Sequence, residues 1–296
     1  MRGWNRSAVR RVTTMTLTSA AFQQIAVDGG HLAVWEDGTG PQVLLLHGGP
    51  GLSAGYLDEL VKELVPGYQV ALYQQRGLAP STQDGPFTVA QSVADAVAVL
   101  DALHWDKAFV VGHSWGGHLA LHVAVVAPDR LLGVLSIDTL GGVGDGGAAA
   151  FEAEILARTP EADRQRAHEL DERAFRGEGT TEDVIESLAL IWPAYFADPT
   201  KAPSPTKQIS LPAYTGGFES VMKELPRLEA SLGAITLPVG FLAGGGSPMP
   251  VDLASRATAE RIPNPWVEVV PNAGHFVWIE APGSVRRALD RLTGST

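Results

Sequence analysis

At 296 residues the chain is long enough for one sizeable hydrophobic core, or for one core with a smaller unit inserted into it. It has no cysteine, which excludes disulfides, thiolate metal sites and a cysteine nucleophile. Its formal charge of −11 argues against nucleic acid as a partner, because phosphate binding needs clustered Lys and Arg, but identifies no cationic substrate. The chain opens on a basic segment with Arg2, Arg6, Arg10 and Arg11, followed by residues 12–19, which are too polar for the apolar part of a signal peptide. No stretch reaches the roughly 18 apolar residues of a membrane span. The expectation is a cytoplasmic protein with a loose leader over residues 1–20 and no membrane partner.

Residues 22–27 and 31–35 flank Asp28-Gly29-Gly30, a turn signal that predicts an antiparallel hairpin at a sheet edge. Val43-Leu44-Leu45-Leu46 is the first continuously apolar strand and runs into His47-Gly48-Gly49-Pro50-Gly51. A helix is predicted over 53–65 and a strand over 69–73, ending in Gln74-Gln75-Arg76-Gly77. Thr88 and Gln91 have capping-box spacing for a helix reaching about residue 103. The apolar run Ala108-Phe109-Val110-Val111 leads into Gly112-His113-Ser114-Trp115-Gly116-Gly117, with a helix expected over 117–127 and stopped by Pro128. Another strand, 131–137, ends in Asp138.

This alternation of buried strands and helices predicts a parallel α/β sheet covered on both faces. It halts after Asp138. Residues 141–233 read as helical, charged and punctuated by Pro199, Pro203 and Pro205, and strand pattern resumes at 239–243 and 267–270 before a last helix over 283–292. The expected organisation is a core of residues 21–140 and 234–296, with 141–233 inserted as a helical cap over the active edge of the sheet. Glu169, Asp171, Glu172, Glu182 and Asp183 are expected to form the solvated face of that cap.

Strand, tight turn bearing a serine, then helix is the nucleophile-elbow arrangement, which exposes Ser114 at the carboxyl edge of the sheet above the free N–H groups of a helix. Acyl transfer needs that nucleophile, a base to take its proton, and donors for the oxyanion. The expected donors are the backbone N–H of Trp115 and one from the 47–51 loop, with Gly49 preferred to Gly48. Of eight histidines, His275 alone lies late enough to be the base, just past the last strand in Asn272-Ala273-Gly274-His275-Phe276. His113 should point away from the nucleophile. His118 and His122 share a helix face, but with no third ligand evident they read as packing, and no metal or cofactor is expected. His31, His104 and His168 read as incidental.

His47-Gly48-Gly49-Pro50-Gly51, the elbow 112–117, Gln75-Arg76-Gly77 and Gly274-His275 together resemble the α/β-hydrolase superfamily, and within it the prolyl iminopeptidase-like group. Gln74 departs from that group, standing where its members usually have aspartate. The resemblance covers roughly 42–138 and 237–292 and implies a mostly parallel sheet of about eight strands, an active site beneath the cap, and no cofactor. It would place the acid that orients the histidine after the strand 239–243, where this chain has Ser247. Serine carries no charge. A carboxylate at the end of the preceding strand opens onto the same edge, as in some similar lipases and dehalogenases, and Asp138 sits there. Asp252, read at a helix start, and Asp145, in a glycine-rich loop, are the other carboxylates weighed.

The residues thus point to a serine hydrolase of a small ester, lactone or amide, with Ser114, His275 and Asp138 as the triad. An N-terminal aminopeptidase is the alternative, and needs cap carboxylates around a substrate ammonium. A degenerate fold that binds or rearranges a ligand without hydrolysis is a second. Epoxide hydrolases and haloalkane dehalogenases of this fold resemble families with an aspartate nucleophile, and Ser114 counts against both. Trp192, Tyr195, Phe196 and Tyr214 are candidates to line an apolar pocket or to form the cap's own core, with Trp192 and Tyr195 taken as substrate-binding.

Overall fold

The computed structural model describes residues 21–294, so the segment read as a leader, 1–20, lies outside the described residues. One eight-stranded sheet runs through them in the order β1-β2-β4-β3-β5-β6-β7-β8. The hairpin β1 (Gln23–Val27) and β2 (Gly30–Asp37) forms the antiparallel edge, β2 pairing with β4 (Gln69–Tyr73). From β4 onward the neighbours β3 (Gln42–Leu46), β5 (Ala108–His113), β6 (Leu131–Ile137), β7 (Val239–Gly244) and β8 (Pro265–Val270) are parallel.

The alternation of side chains along a strand explains why the central strands are apolar throughout. In β3, Leu44 and Leu46 join the core beneath α2 (Val89–Ala102) and α3 (Trp115–Val126). Val43 and Leu45 face the other way, onto α1 (Asp58–Leu64) and the C-terminal helix Ser284–Thr293. Both faces are therefore dry, and reactive groups can emerge only where strands end.

Three local expectations are corrected. The helix predicted over 53–65 splits into a 3-10 turn, Ala54–Leu57, and α1. Half of the Thr88 capping box forms: the Gln91 N–H donates to Thr88 Oγ1 at 3.2 Å, while the Gln91 side chain donates to Asp95 instead. The bond holds the Gln91 amide against the buried carboxylate that pairs with Arg76, four residues along the helix, rather than turned back to accept from the Thr88 N–H. Helix α3 starts at Trp115, two residues before the expected start, because Ser114 is itself its N-terminal cap residue.

Between β6 and β7 lie α4 (Ala148–Arg158), α5 (Glu161–Phe175), α6 (Thr181–Ile191), a 3-10 turn at Trp192–Tyr195, and α7 (Leu211–Ser231). This segment is fastened directly to the loop after β3. Leu52 bridges Ile209, and the Ser210 N–H donates to the Gly51 carbonyl at 2.9 Å. Among the described residues no helix is long and apolar enough to cross a membrane.

Candidate active site

Strand register brings the site together. His113 pairs with Ile137, and Ile137 pairs with Leu242, so the residues that follow β5, β6 and β7 emerge side by side on one carboxyl edge. Ser114 follows β5 with φ 57° and ψ −123°, a backbone conformation costly for a non-glycine residue. The turn is fixed by closeness on either side of it. A Cβ at Gly112 would lie 2.1 Å from the Gly116 carbonyl oxygen, and one at Gly116 would lie 2.2 Å from that of Leu46. Ser114 does not cap its own helix with its side chain, and the residue lines the cavity beneath α4–α7.

His275 and Asp138 meet at this edge. His275 Nδ1 lies 2.6 Å from Asp138 Oδ2, with both side chains almost wholly buried. The carboxylate accepts from Nδ1, leaving Nε2 as the basic nitrogen. Asp138 also accepts from the Gly244 N–H at 2.8 Å and from Ser247 Oγ at 2.5 Å. Ser247, at the position where the resemblance expects the acid, thus donates to the acid on the neighbouring strand. The other carboxylates weighed lie elsewhere. Asp252 is exposed and paired with Arg256, and Asp145 accepts from the Gly147 and Ala149 N–H groups at the start of α4.

The loop 47–51 is held by a buried polar network. His47 Nδ1 donates to the Gly48 carbonyl at 2.9 Å and its Nε2 accepts from the Gln75 N–H at 3.0 Å. Burial lowers the His47 pKa to about 4, which keeps this neutral tautomer in place. Gln74, the departure from the peptidase pattern, accepts from the Ala54 N–H and donates to the Leu52 carbonyl, tying down the same loop. Gly49 adopts φ 98° there, with Leu52 at 2.6 Å from where a Cβ would be, so only glycine fits. The Gly48 N–H donates to Tyr56 Oη and is spent. Among the described residues no protein acceptor is found for the N–H of Gly49 or of Trp115, the two positions expected to serve an oxyanion.

Tyr56 and His113 escaped the sequence reading. Tyr56 Oη donates to His113 Nδ1 at 2.9 Å, and His113 Nε2 donates to the His275 carbonyl at 3.0 Å. The His113 ring packs 4.6 Å from that of His275 and lines the cavity, so it does not simply point away as expected. Burial, reinforced by the neighbouring His275, holds its pKa well below the usual histidine range. Nothing in the local sequence marks Tyr56. Its role arises from the turn that folds residues 54–57 back over the elbow. His118 and His122 are buried with their Nε2 atoms 3.2 Å apart, and no group of three or more metal-binding side chains exists among the described residues.

The cavity has two chambers, of about 250 and 140 Å³, that share Ser114, Phe151, Tyr195 and Tyr214. Trp192, Tyr195 and Tyr214 line the smaller chamber, whereas Phe196 is buried outside it, stacked on Phe276 at 5.2 Å. One acid read as solvated is corrected. Asp171 lines both chambers and accepts from Tyr214 Oη at 2.9 Å, and burial raises its pKa. His168, read as incidental, lines the larger chamber together with Glu152.

Residues 41–282 match the alpha/beta hydrolase fold family, and the chain belongs to it. It is 26% identical over 265 residues to a Caulobacter sp. (strain K31) protein provisionally named carbamate hydrolase RutD, covering 86% of this chain and 91% of that one. It is 36% identical to epoxide hydrolase B of Mycobacterium tuberculosis (strain ATCC 25618 / H37Rv) over 104 residues, which are 34% of this chain and 29% of that protein. Among solved structures, an esterase (EaEST) from Exiguobacterium antarcticum superposes with a TM-score of 0.73 at 18% identity, covering 92% of this chain and 99% of that one. The chain therefore shares its family and fold with hydrolases of several kinds.

Proposed function

We propose that the protein is a serine hydrolase that cleaves a small ester, lactone or amide through an acyl-enzyme. One observation carries the reading: His275 is oriented by a buried carboxylate, with no hydrogen-bond partner for its other nitrogen among the described residues, in the cavity that Ser114 lines. Ser114 Oγ attacks the substrate carbonyl while His275 Nε2 takes its proton, and Asp138 stabilises the imidazolium. The oxyanion is met by the N–H groups of Gly49 and Trp115, the latter at the positive end of α3. Collapse expels the alcohol or amine with the proton from His275, and a water activated by the same nitrogen releases the acid. No metal or cofactor takes part. The segment 141–233 acts as the cap, and its aromatic chambers of about 250 and 140 Å³ suit a small, mostly apolar substrate. The Caulobacter relative's name, a carbamate hydrolase, is consistent with such chemistry.

Asp171 favours a second reading, the prolyl iminopeptidase-like aminopeptidase. A partly buried carboxylate in an otherwise aromatic cavity would take a substrate ammonium, with Glu152 nearby. A p-nitrophenyl ester series run beside amino-acyl arylamides, on wild type, Ser114→Ala and Asp171→Asn, tests both. The first reading predicts ester turnover that Ser114→Ala abolishes and Asp171→Asn spares. Preference for the arylamides, with KM raised about tenfold by Asp171→Asn, would establish the second. Turnover of neither series by wild type would favour a fold that only binds.

A further inference from the structure

Glu280 ends the short helix Val277–Glu280, just past His275, and its side chain is spent entirely on backbone N–H groups. Oε2 accepts from Gly274 at 2.6 Å and from Ala197 at 3.1 Å, and Oε1 accepts from Asp198 at 2.8 Å. Gly274 precedes His275, while Ala197 and Asp198 belong to the segment between β6 and β7. One carboxylate therefore joins the histidine loop to that segment. The join is continued by the main chain of His275 itself, whose N–H donates to the Tyr195 carbonyl at 2.8 Å. Trp192 and Phe196 pack on Phe276, with ring centroids at 4.9 and 5.2 Å.

A second join reaches the acid. Arg158, at the end of α4, donates to the Gly246 carbonyl at 2.6 Å and to that of Ser247 at 3.2 Å. Ser247 in turn donates to Asp138 Oδ2, the oxygen that meets His275. Gly246 closes the circle, its N–H donating to the Ala273 carbonyl at 2.8 Å. Both the histidine and its acid are thus held from the helical segment as well as from the sheet.

We propose that Glu280 is a positioning residue that aligns His275 by locking its loop to residues 195–198, so that the base is in register only while that segment is seated. This rests on the reading of Ser114 and His275 as nucleophile and base. Glu280→Gln is the informative variant. It keeps the shape of the side chain but only one acceptor oxygen. Set at Oε2, that oxygen still takes Gly274 and Ala197 but turns the amide N–H groups on the Asp198 N–H; set at Oε1, it keeps Asp198 and loses the other two. Neither orientation rebuilds the three-bond lock. A displacement of about 1 Å at a reacting group can cost on the order of 10²-fold.

The experiment measures kcat per active site on the ester series, with sites counted by fluorophosphonate labelling, for wild type, Ser114→Ala, Glu280→Gln and Glu280→Asp. The expected result is an unchanged labelled fraction, KM within about twofold of wild type, and kcat per labelled site lowered about 10- to 100-fold in Glu280→Gln. Glu280→Asp retains the charge but is too short to span both sides, and gives the same split if Glu280→Gln does not fold. Unchanged kcat per labelled site, with any loss confined to the labelled fraction or the melting temperature, overturns the proposal and leaves Glu280 structural. If Ser114→Ala keeps its turnover, the serine reading falls and this proposal with it. If Ser114→Ala is dead and Glu280→Gln is fully active, this proposal alone fails.

Discussion

The sheet-edge wall of the cavity and the helical wall facing it are built from different materials. The sheet edge is polar and almost completely satisfied: His47, Gln74, Gln75, Tyr56, His113, Ser247 and Asp138 each have their partners, mostly buried. The helical wall is aromatic and aliphatic, with Asp171 in both chambers and Glu152 in the larger one as its lining carboxylates, and with ion pairs such as Arg166–Glu186 out in solvent. Exposed pairs of that kind contribute little to stability. A satisfied buried network, by contrast, defines one geometry, because each misplaced member leaves a costly unpaired group. On the function proposed above, chemistry falls to the sheet edge and substrate choice to the helices, and each experiment that follows attacks one side of that division.

The largest effect should come from Ser114→Ala, which is expected to lower kcat by about 10⁶ if the subtilisin precedent transfers, with KM and melting temperature little changed. Asp138→Asn should retain the fold and lower kcat by about 10⁴, because an amide opposite Nδ1 favours the wrong imidazole tautomer. Ser247→Ala removes one hydrogen bond to that carboxylate and should cost about tenfold. The order Asp138 far above Ser247, read from steady-state kinetics, is the sharp point. Were Ser247→Ala the more damaging change, the acid would have been misassigned.

On the helical wall, Tyr195→Ala and Trp192→Ala should raise KM for bulky acyl groups about tenfold more than for acetyl, leaving kcat for acetyl within a few-fold of wild type. A fall in melting temperature with unchanged selectivity would make these aromatics structural and erase the division of labour.

The smallest effect concerns the buried histidines behind the sheet edge. Burial depresses the pKa of His47 and of His118 to about 4. In the unfolded chain each titrates near 6.5, so between these values the unfolded state binds more protons than the folded one. Stability is therefore full above about pH 6.5 and declines as the pH falls towards 4. Each residue contributes a slope of at most about 1.4 kcal/mol per pH unit. His118→Asn, whose amide can still donate to the Leu140 carbonyl as His118 Nδ1 does, should flatten this slope in urea titrations across that range.

The two walls also differed in how readily they could be read from sequence. The sheet edge is written in short motifs whose geometry is local: glycines where a Cβ would strike backbone, a serine between strand and helix, a histidine after the last strand. Fold class, strand order of appearance and the positions of Ser114, Gly49, Trp115 and His275 were therefore legible. Asp138 was legible only through the topological argument that neighbouring parallel strands open on one edge. Contacts made by distant residues left no such mark. Tyr56 reaches His113 across 57 positions, and Glu280 reaches Asp198 across 82. Asp171 sits on a charged, amphipathic helix among acids that do face water. Only the packing of α5 against α7, which brings Tyr214 Oη within 2.9 Å, separates it from its neighbours.

The central claim is that Ser114 is a nucleophile activated by His275 and Asp138, and mass spectrometry of the fluorophosphonate-treated protein tests it most directly. The account predicts a single adduct on the peptide containing Ser114, absent in Ser114→Ala and formed far more slowly in Asp138→Asn. An adduct on another residue, or none at all while Ser114→Ala hydrolyses esters as fast as wild type, would contradict it.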